Sequence, residues 1–211
     1  MQSATLKKIV LPKTAKTAKT ARGAQTRARL LQAAEQVFGG KGFHAASITE
    51  ITQVAQVSQG TFYIYFHDKE EAFRALVEHM GQEIQHVIRE KIAGVHSRLE
   101  AERLGLRTFL SFVAEHKNLY RIVLESLFVD EAIYRKYFSE FGALYQGRLD
   151  AAVANHEIGV GDTEVRAWCL MGISHFLGMR YSLWDNPEAR DRVVDAAADF
   201  ITNGLQARKR K

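Results

Sequence analysis

Cysteine is all but missing: Cys169 is the only one in 211 residues. An intrachain disulfide and a cysteine-based zinc cage are therefore excluded, and a reducing compartment is the expected setting. Proline is nearly as scarce, with Pro12 and Pro187 alone, so long stretches run free of helix breakers. The longest unbroken apolar stretch, Ala167 to Ile173, has seven residues, far short of the roughly 20 a membrane span needs. No apolar run follows the basic amino terminus, which argues against a secretory signal. A cytoplasmic protein with no membrane partner and no cofactor is the expectation. Clean polar/apolar alternation is also lacking, whereas Ala, Leu, Glu, Gln, Lys and Arg are common throughout. The chain reads as all-α. Its 46% hydrophobic and 25% charged content is ordinary globular composition and excludes wholesale disorder.

Negative charge is missing from one place in particular. No acidic residue precedes Glu35, while Lys7, Lys8, Lys13, Lys16, Lys19, Arg22, Arg27 and Arg29 all fall before position 30. The last four residues, 208–211, add four more cations. Positions 30–207 then hold seventeen Lys and Arg against twenty-four Asp and Glu. A basic arm on an acidic body points to a polyanionic partner near the amino terminus. The arm, residues 1–24, repeats Lys-Thr-Ala three times from Lys13 and has almost nothing to bury, so it is expected to be disordered. It serves either as a solubilising leader or as a neutraliser of phosphates that enters a minor groove.

From Thr26 the pattern changes. Leu30, Leu31, Ala34, Val37 and Phe38 fall on one face of a helix. Gly39, Gly40 and Gly42 stop it, with Gly42 the expected left-handed cap. Ser47-Ile48-Thr49-Glu50 has the form of a capping box, and Ile48, Ile51, Val54 and Ala55 give the second helix its inward stripe. Ser58 is a good N-cap for a third helix, Gln59 to Phe66. Two short helices joined by about three residues, after a longer one, describe a helix-turn-helix.

Phe62 and Phe66, at i and i+4, share the inward face of the third helix. The other positions fit DNA docking. Gln59 can pair with adenine, and Thr61 can bond a base edge or touch a thymine methyl. Gly60 permits close approach, and Tyr63 and Tyr65 can reach phosphate oxygens. The alternative for the tyrosines is a packed aromatic cluster. Asp68 with Glu71 at N3 predicts a further capped helix start, where Lys69 and the free amides can hold a phosphate.

Residues 26–73 resemble the DNA-binding domain of TetR/AcrR-type transcriptional regulators. The likeness is carried by Val57-Ser-Gln-Gly-Thr-Phe-Tyr-Ile-Tyr-Phe66 and Asp68-Lys-Glu, and upstream by Ala33-Ala34, Phe38, Gly42-Phe43 and Ser47-Ile48. Ile64 departs from it, standing where the family often has Tyr or Trp. The resemblance implies that Ser47 and Thr49 contact phosphate, that Gln59, Gly60, Thr61 and Tyr63 face the groove, and that Lys69 clamps backbone. It also implies a homodimer on a palindromic operator, most often repressing, with a small-molecule effector bound in the larger domain.

The periodicity predicts helix four from Lys69 to about Ala93, then helices near 98–115, 117–128, 130–155, 163–184 and 187–207. Asn186 caps the last, with Pro187 at N1 and Glu188 in the first turn. The 163–184 helix is apolar nearly all round, which predicts burial on more than one side. Small residues in the 187–207 helix permit close helix approach, so a two-fold dimer built from these two helices is expected. The division is thus an arm over 1–24, a reader over 25–70, a ligand-binding and dimerisation domain over 71–207, and a basic tail.

The middle of the chain is rich in aromatics. Taken singly these read as bundle core. As a group, Phe109, Phe112, Tyr120, Phe128, Tyr134, Tyr137, Phe138, Phe141 and Tyr145 could line a mostly apolar pocket with a few polar anchors, His116, Arg121, Glu125, His175 and Arg180 being near them in the pattern. The residues expected to bind the effector are Phe109, Phe112, His116, Tyr120, Phe128, Tyr137, Trp168 and His175. Helix four would be the lever joining pocket to reader.

Enzymatic readings are weak. Gly172-Ile-Ser-His-Phe176 lacks the second glycine and the preceding strand of a nucleophile elbow. Cys169 in an apolar helix reads as inert packing. His79, Glu83 and His86 could share a helix face and bind a metal, although such residues are more often solvated. A closer rival keeps the fold but drops the effector, leaving a DNA-organising protein with near-uniform, salt-dependent binding.

Overall fold

The computed structural model describes residues 21–184 and 190–206. Helices account for nearly all of them. In chain order these are α1 (Ala21–Lys41), α2 (Ile48–Val54), α3 (Gln59–Tyr65), α4 (Lys69–Lys91), α5 (Arg98–Glu115), α6 (Lys117–Val129), α7 (Glu131–Ala154), α8 (Thr163–Gly178) and α9 (Arg190–Leu205). A π-helical turn, Met179–Leu183, continues α8. Helix α1 begins at Ala21, inside the segment expected to be a disordered arm. The earlier part of that arm, the 208–211 tail and the Asn186-Pro187-Glu188 helix start lie outside the described residues.

Local chemistry explains most helix boundaries. The side chains of Ser47, Ser58, Asp68, Ser97, Asp130 and Asp162 each accept a hydrogen bond from a first-turn amide of the helix that follows, a device worth about 1 kcal/mol apiece. At Ser47 the box is reciprocal: Glu50 N–H donates to Ser47 Oγ at 3.2 Å, and Ser47 N–H donates to Glu50 Oε2 at 3.0 Å. At α4 it differs from expectation. Asp68 takes the Glu71 amide at 2.7 Å, but Glu71 reaches one residue further back, to the His67 amide at 2.6 Å. Helix α1 stops where Gly42 enters the left-handed region at φ +81°, its amide bonded to Phe38 O at 2.8 Å. The α2–α3 turn uses Gln56 at φ +54° instead of a glycine, with Val57 packed beneath it.

Two cores hold the helices. One is continuous from the amino-terminal helices into α4 and α6. Phe73 meets both Phe38 and Phe43 edge-on in it, with Phe43 and Phe73 centroids 5.1 Å apart. The second joins α5, α7, α8 and α9 through Leu110, Leu149, Ala167, Leu170 and Val194. Helix α8 approaches α5 so closely at Gly178 that a Cβ there would stand 2.8 Å from the Phe109 ring.

Burial of α8 on more than one side is not what a single chain provides. Only Ala167, Leu170 and Gly178 are buried, while Val165, Trp168 and Phe176 are exposed. The expected packing of Cys169 fails for the same reason: it is exposed. The periodicity was apolar on faces that this chain alone leaves uncovered. No helix among the described residues is long and apolar enough to cross a membrane.

Candidate nucleic-acid interface and ligand cavity

Helix α3 separates its residues as its period requires. Phe62 and Phe66 are buried, 5.4 Å apart between ring centroids. Tyr63 and Ile64 stand out at 55% and 75% exposure. Gln59 and Gly60 are exposed at the helix start, and Thr61 is half-exposed, its Oγ1 3.0 Å from Ser58 Oγ. Tyr65 lies lower on the helix and packs half-buried against the core.

Several candidate contact residues are held by each other. Gln59 Nε2 donates to Thr49 Oγ1 at 2.8 Å, tying the start of α3 to the first turn of α2. Lys69 is engaged from within the chain: its Nζ donates to Phe43 O at 2.9 Å and Ala46 O at 3.0 Å and sits 4.3 Å from the Phe43 ring centroid. Two of its three ammonium protons thus brace the α1–α2 turn. That bond network was invisible to spacing, because Lys69 and Phe43 are far apart in sequence.

The same turn is gripped from the other side. Phe43 N–H donates to Glu125 Oε1 on α6 at 2.7 Å, and a Cβ at Gly42 would come within 3.0 Å of that oxygen. Glu125, expected near the pocket, is instead a link between α6 and the amino-terminal helices. Arg121 and Arg180 are exposed.

A narrow cavity lies among α4, α5, α6, α7, α8 and α9, its empty space amounting to about 840 Å³ when the open solvent at its mouth is included. Four of the eight expected effector residues line it: Phe109, Tyr120, Tyr137 and His175. Tyr120 Oη donates to the His175 carbonyl at 3.0 Å and lies 3.1 Å from its Nδ1. Burial raises the pKa of both tyrosines and lowers that of His175, so all three are neutral hydrogen-bonding groups near pH 7. Trp168 lines an outer groove with Tyr134 and Arg135, which shares Phe138, Met171 and His175 with the cavity.

Three expectations, for Phe112, His116 and Phe128, are corrected, since none of them lines the cavity. Phe112 is buried and stacks on His116 at 4.3 Å between ring centroids, where α5 meets α6, away from the cavity wall. Phe128 is 82% exposed near the end of α6. Aromatic composition cannot say which face of a helix meets a void. Conversely, sequence reasoning missed the charged residues at one end of the cavity, Arg98 and Glu102 on α5 and Arg148 on α7, which stand beside the expected aromatic Tyr145. Arg98 pairs with Glu102, and Tyr145 donates to the same carboxylate. Burial, then the adjacent Glu102, holds the Tyr145 pKa well above its usual range. The available signal was the i,i+4 pair Arg98/Glu102 facing the i,i+3 pair Tyr145/Arg148, which reads as solvated surface until α5 and α7 are known to face each other.

The other chemistries find little support. His79 is buried while His86 is exposed, and among the described residues no three His, Cys, Asp or Glu side chains are grouped to hold a metal ion. Ser174 lies within α8, not on a strand-to-helix turn.

Two short capped helices, braced from beneath by aromatics and presenting an outward Gln-Gly-Thr-Tyr surface, define a helix-turn-helix DNA-binding protein. Residues 30–76 match the family described as bacterial regulatory proteins, tetR family. The regulator YvdT of Bacillus subtilis is 28% identical over 139 residues, covering 63% of this chain and 70% of YvdT. The transcriptional activator FasR of Mycolicibacterium smegmatis is 28% identical over 184 residues, covering 86% of this chain and 83% of FasR. Salmonella enterica GusR shares the fold at a TM-score of 0.78 and 22% identity, over 90% of this chain and 99% of GusR. Residues 30–76 thus belong to the TetR family of helix-turn-helix domains, and most of the chain's length is similar to transcriptional regulators. The chain is a DNA-binding regulator and not an enzyme.

Proposed function

We propose that the chain represses transcription by binding a palindromic operator as a homodimer, and that a small, largely apolar effector in the cavity releases it. The reader spans 25–70 and the ligand-binding and dimerisation domain 71–207. Gln59, Gly60, Thr61 and Tyr63 face the major groove. Ser47, Thr49 and Tyr65 bond phosphates, and Lys69 adds its remaining proton to the same backbone. Dimerisation uses α8 and α9. Phe176 and Phe200, at 66% and 71% exposure, leave an apolar surface there of the kind that marks an interface. A dimer would set the two recognition helices about one DNA turn, roughly 34–36 Å, apart.

The observation that carries effector control is on α6. Tyr120 lines the cavity, and Glu125, little more than one helical turn on, holds the Phe43 amide of the reader. A ligand that shifts α6 acts on both ends of one rigid element, and it changes DNA affinity by its differential affinity for the two arrangements. Glu125→Ala is expected to cost about 1–3 kcal/mol of stability. It should also shrink the ratio of operator affinities measured with and without effector. An unchanged ratio would leave coupling to α4 alone.

Selection of bound duplexes from a random pool, repeated with candidate apolar ligands and with the molar mass of the complex measured, tests the reading. One enriched palindrome, bound by two chains and lost on ligand addition, is the expected result. Uniform, salt-dependent binding unaffected by ligand would favour the DNA-organising alternative. In the same assay Gln59→Ala and Thr61→Ala should change the selected bases. If both variants select the unaltered palindrome, neither residue reads sequence.

A further inference from the structure

We propose that the cavity takes an amphipathic anion, a carboxylate-headed molecule with an apolar tail, its head seated against Arg98 and Arg148. This rests on the reading of the cavity as an effector site and names the chemistry of the effector.

The lining is segregated. At one end stand Arg98, Glu102, Tyr145 and Arg148; elsewhere the wall is aromatic and aliphatic, with Phe109, Phe138, Phe141, Leu106 and Leu170. The charged end does not balance itself. Glu102, buried, is bonded by both Arg98 and the Tyr145 hydroxyl. It neutralises one guanidinium and not two. Arg148 makes no hydrogen bond or ion pair among the described residues, and Arg98 Nε is buried with no hydrogen-bond partner. The two guanidinium groups oppose each other, and Arg89 on α4 adds to the same field. A buried guanidinium nitrogen left open, beside a second, half-buried guanidinium of the same charge, is costly. An anion that accepts from them removes the cost, and a planar carboxylate matches the guanidinium fork.

The same inventory argues against other heads. A cationic head would meet two arginines and a carboxylate already bonded twice. A neutral molecule would leave the donors as they are. One surplus positive charge fits a monoanion better than a polyanion. The narrow remainder of the cavity, with few polar groups beyond Tyr120, Tyr137, Ser174 and His175, suits a chain or a flat apolar body.

The test compares decanoate, decanol and decyltrimethylammonium, each titrated calorimetrically into the full chain below its micellar concentration. Decanoate is expected to bind at least about tenfold tighter than decanol, and the ammonium compound weakest. Arg148→Met should bring decanoate down to the level of decanol while leaving decanol unchanged, and Arg148→Lys should keep part of the preference. A thermal scan of each variant confirms that it is folded, as expected for a half-buried position on the cavity wall. Equal affinities for acid and alcohol, a preference that survives Arg148→Met, or no binding of any of the three would overturn the proposal. The operator-release assay separates it from the broader reading. Decanoate that binds through Arg148 without affecting operator affinity leaves the anion site standing and removes the effector role. Decanol that binds equally well and releases the operator does the opposite.

Discussion

Phe62→Ala should cost about 3–5 kcal/mol of folding stability, a large share of the roughly 5–15 kcal/mol that holds a domain together. Phe62 is wholly buried, packs on Phe66, and is the main anchor of a seven-residue helix. A helix that short is not stable by itself, so its position depends on that anchor. Removing the ring leaves a cavity under α3, and DNA binding should be lost with the ordered helix even where the rest of the chain stays folded. Tyr63→Ala, on the next residue, should do the reverse. Its side chain is more than half exposed, so stability should change by about 0.5 kcal/mol or less. Affinity for DNA should fall roughly tenfold through the loss of one charge-assisted phosphate bond. Urea unfolding and fluorescence anisotropy on labelled duplex, run on both variants, separate the two effects. Unchanged affinity in Tyr63→Ala would take that residue out of the interface.

That contrast explains why the reader was legible in the sequence. Phe62 and Phe66 at i and i+4 fix which face of α3 is inward, and the outward face follows without any tertiary knowledge. The Ser47/Glu50 box, the Ser58 and Asp68 caps and the left-handed Gly42 are likewise contacts within a few residues. What spacing could not supply was the partner that each proposed contact residue has within the chain. Gln59 is bonded to Thr49, and Lys69 to the Phe43 and Ala46 carbonyls. Both bonds close between segments that meet only after folding. On the proposed reading these side chains are held in position before DNA arrives, which would lower the ordering cost of binding.

The cavity was only half legible, for a related reason. Its wall is drawn from six helices, and membership depends on the rotation of each about its own axis. Phe109 and Tyr120 were found because they are aromatic. Phe112 and Phe128 were offered on the same ground and lie elsewhere, one in the core and one facing solvent. Arg98, Glu102 and Arg148 were passed over because charged residues on amphipathic helices usually face water. Their meeting at one end of the cavity, where Tyr145 on α7 bonds Glu102 on α5, is set by helix packing, which no local pattern encodes. The segment that most misled the periodicity was α8, whose apolar residues are more numerous than this chain can cover. That surplus is what would be expected if a second copy completes the burial.

Stability should fall steeply as the pH drops through the range set by His79. This imidazole is buried on α4, its Nδ1 has no hydrogen-bond partner, and its pKa is lowered to about 4 by burial, then by His116 and Arg27. Since the folded chain holds His79 neutral, the unfolded chain binds the extra proton between about pH 6.5 and about pH 4. Stability is therefore full above that window and declines as pH falls through it, by up to about 3 kcal/mol from this group. Glu35 and Glu83, raised by burial, work in the opposite sense, and His175, lowered by burial, in the same one. All three are common to wild type and variant and cancel in the difference. His79→Leu removes the titrating group and an unpaired buried nitrogen at similar volume. The variant should match or exceed wild type at about pH 7.5 and exceed it by about 2–3 kcal/mol at about pH 4.5, as read from urea unfolding at both values. An equal loss in the two proteins would assign the acid sensitivity to other groups. The site lies where α4 runs beneath the reader, so partial protonation should also loosen the α1–α4 packing, and operator affinity should decline over the same pH window in wild type and not in His79→Leu.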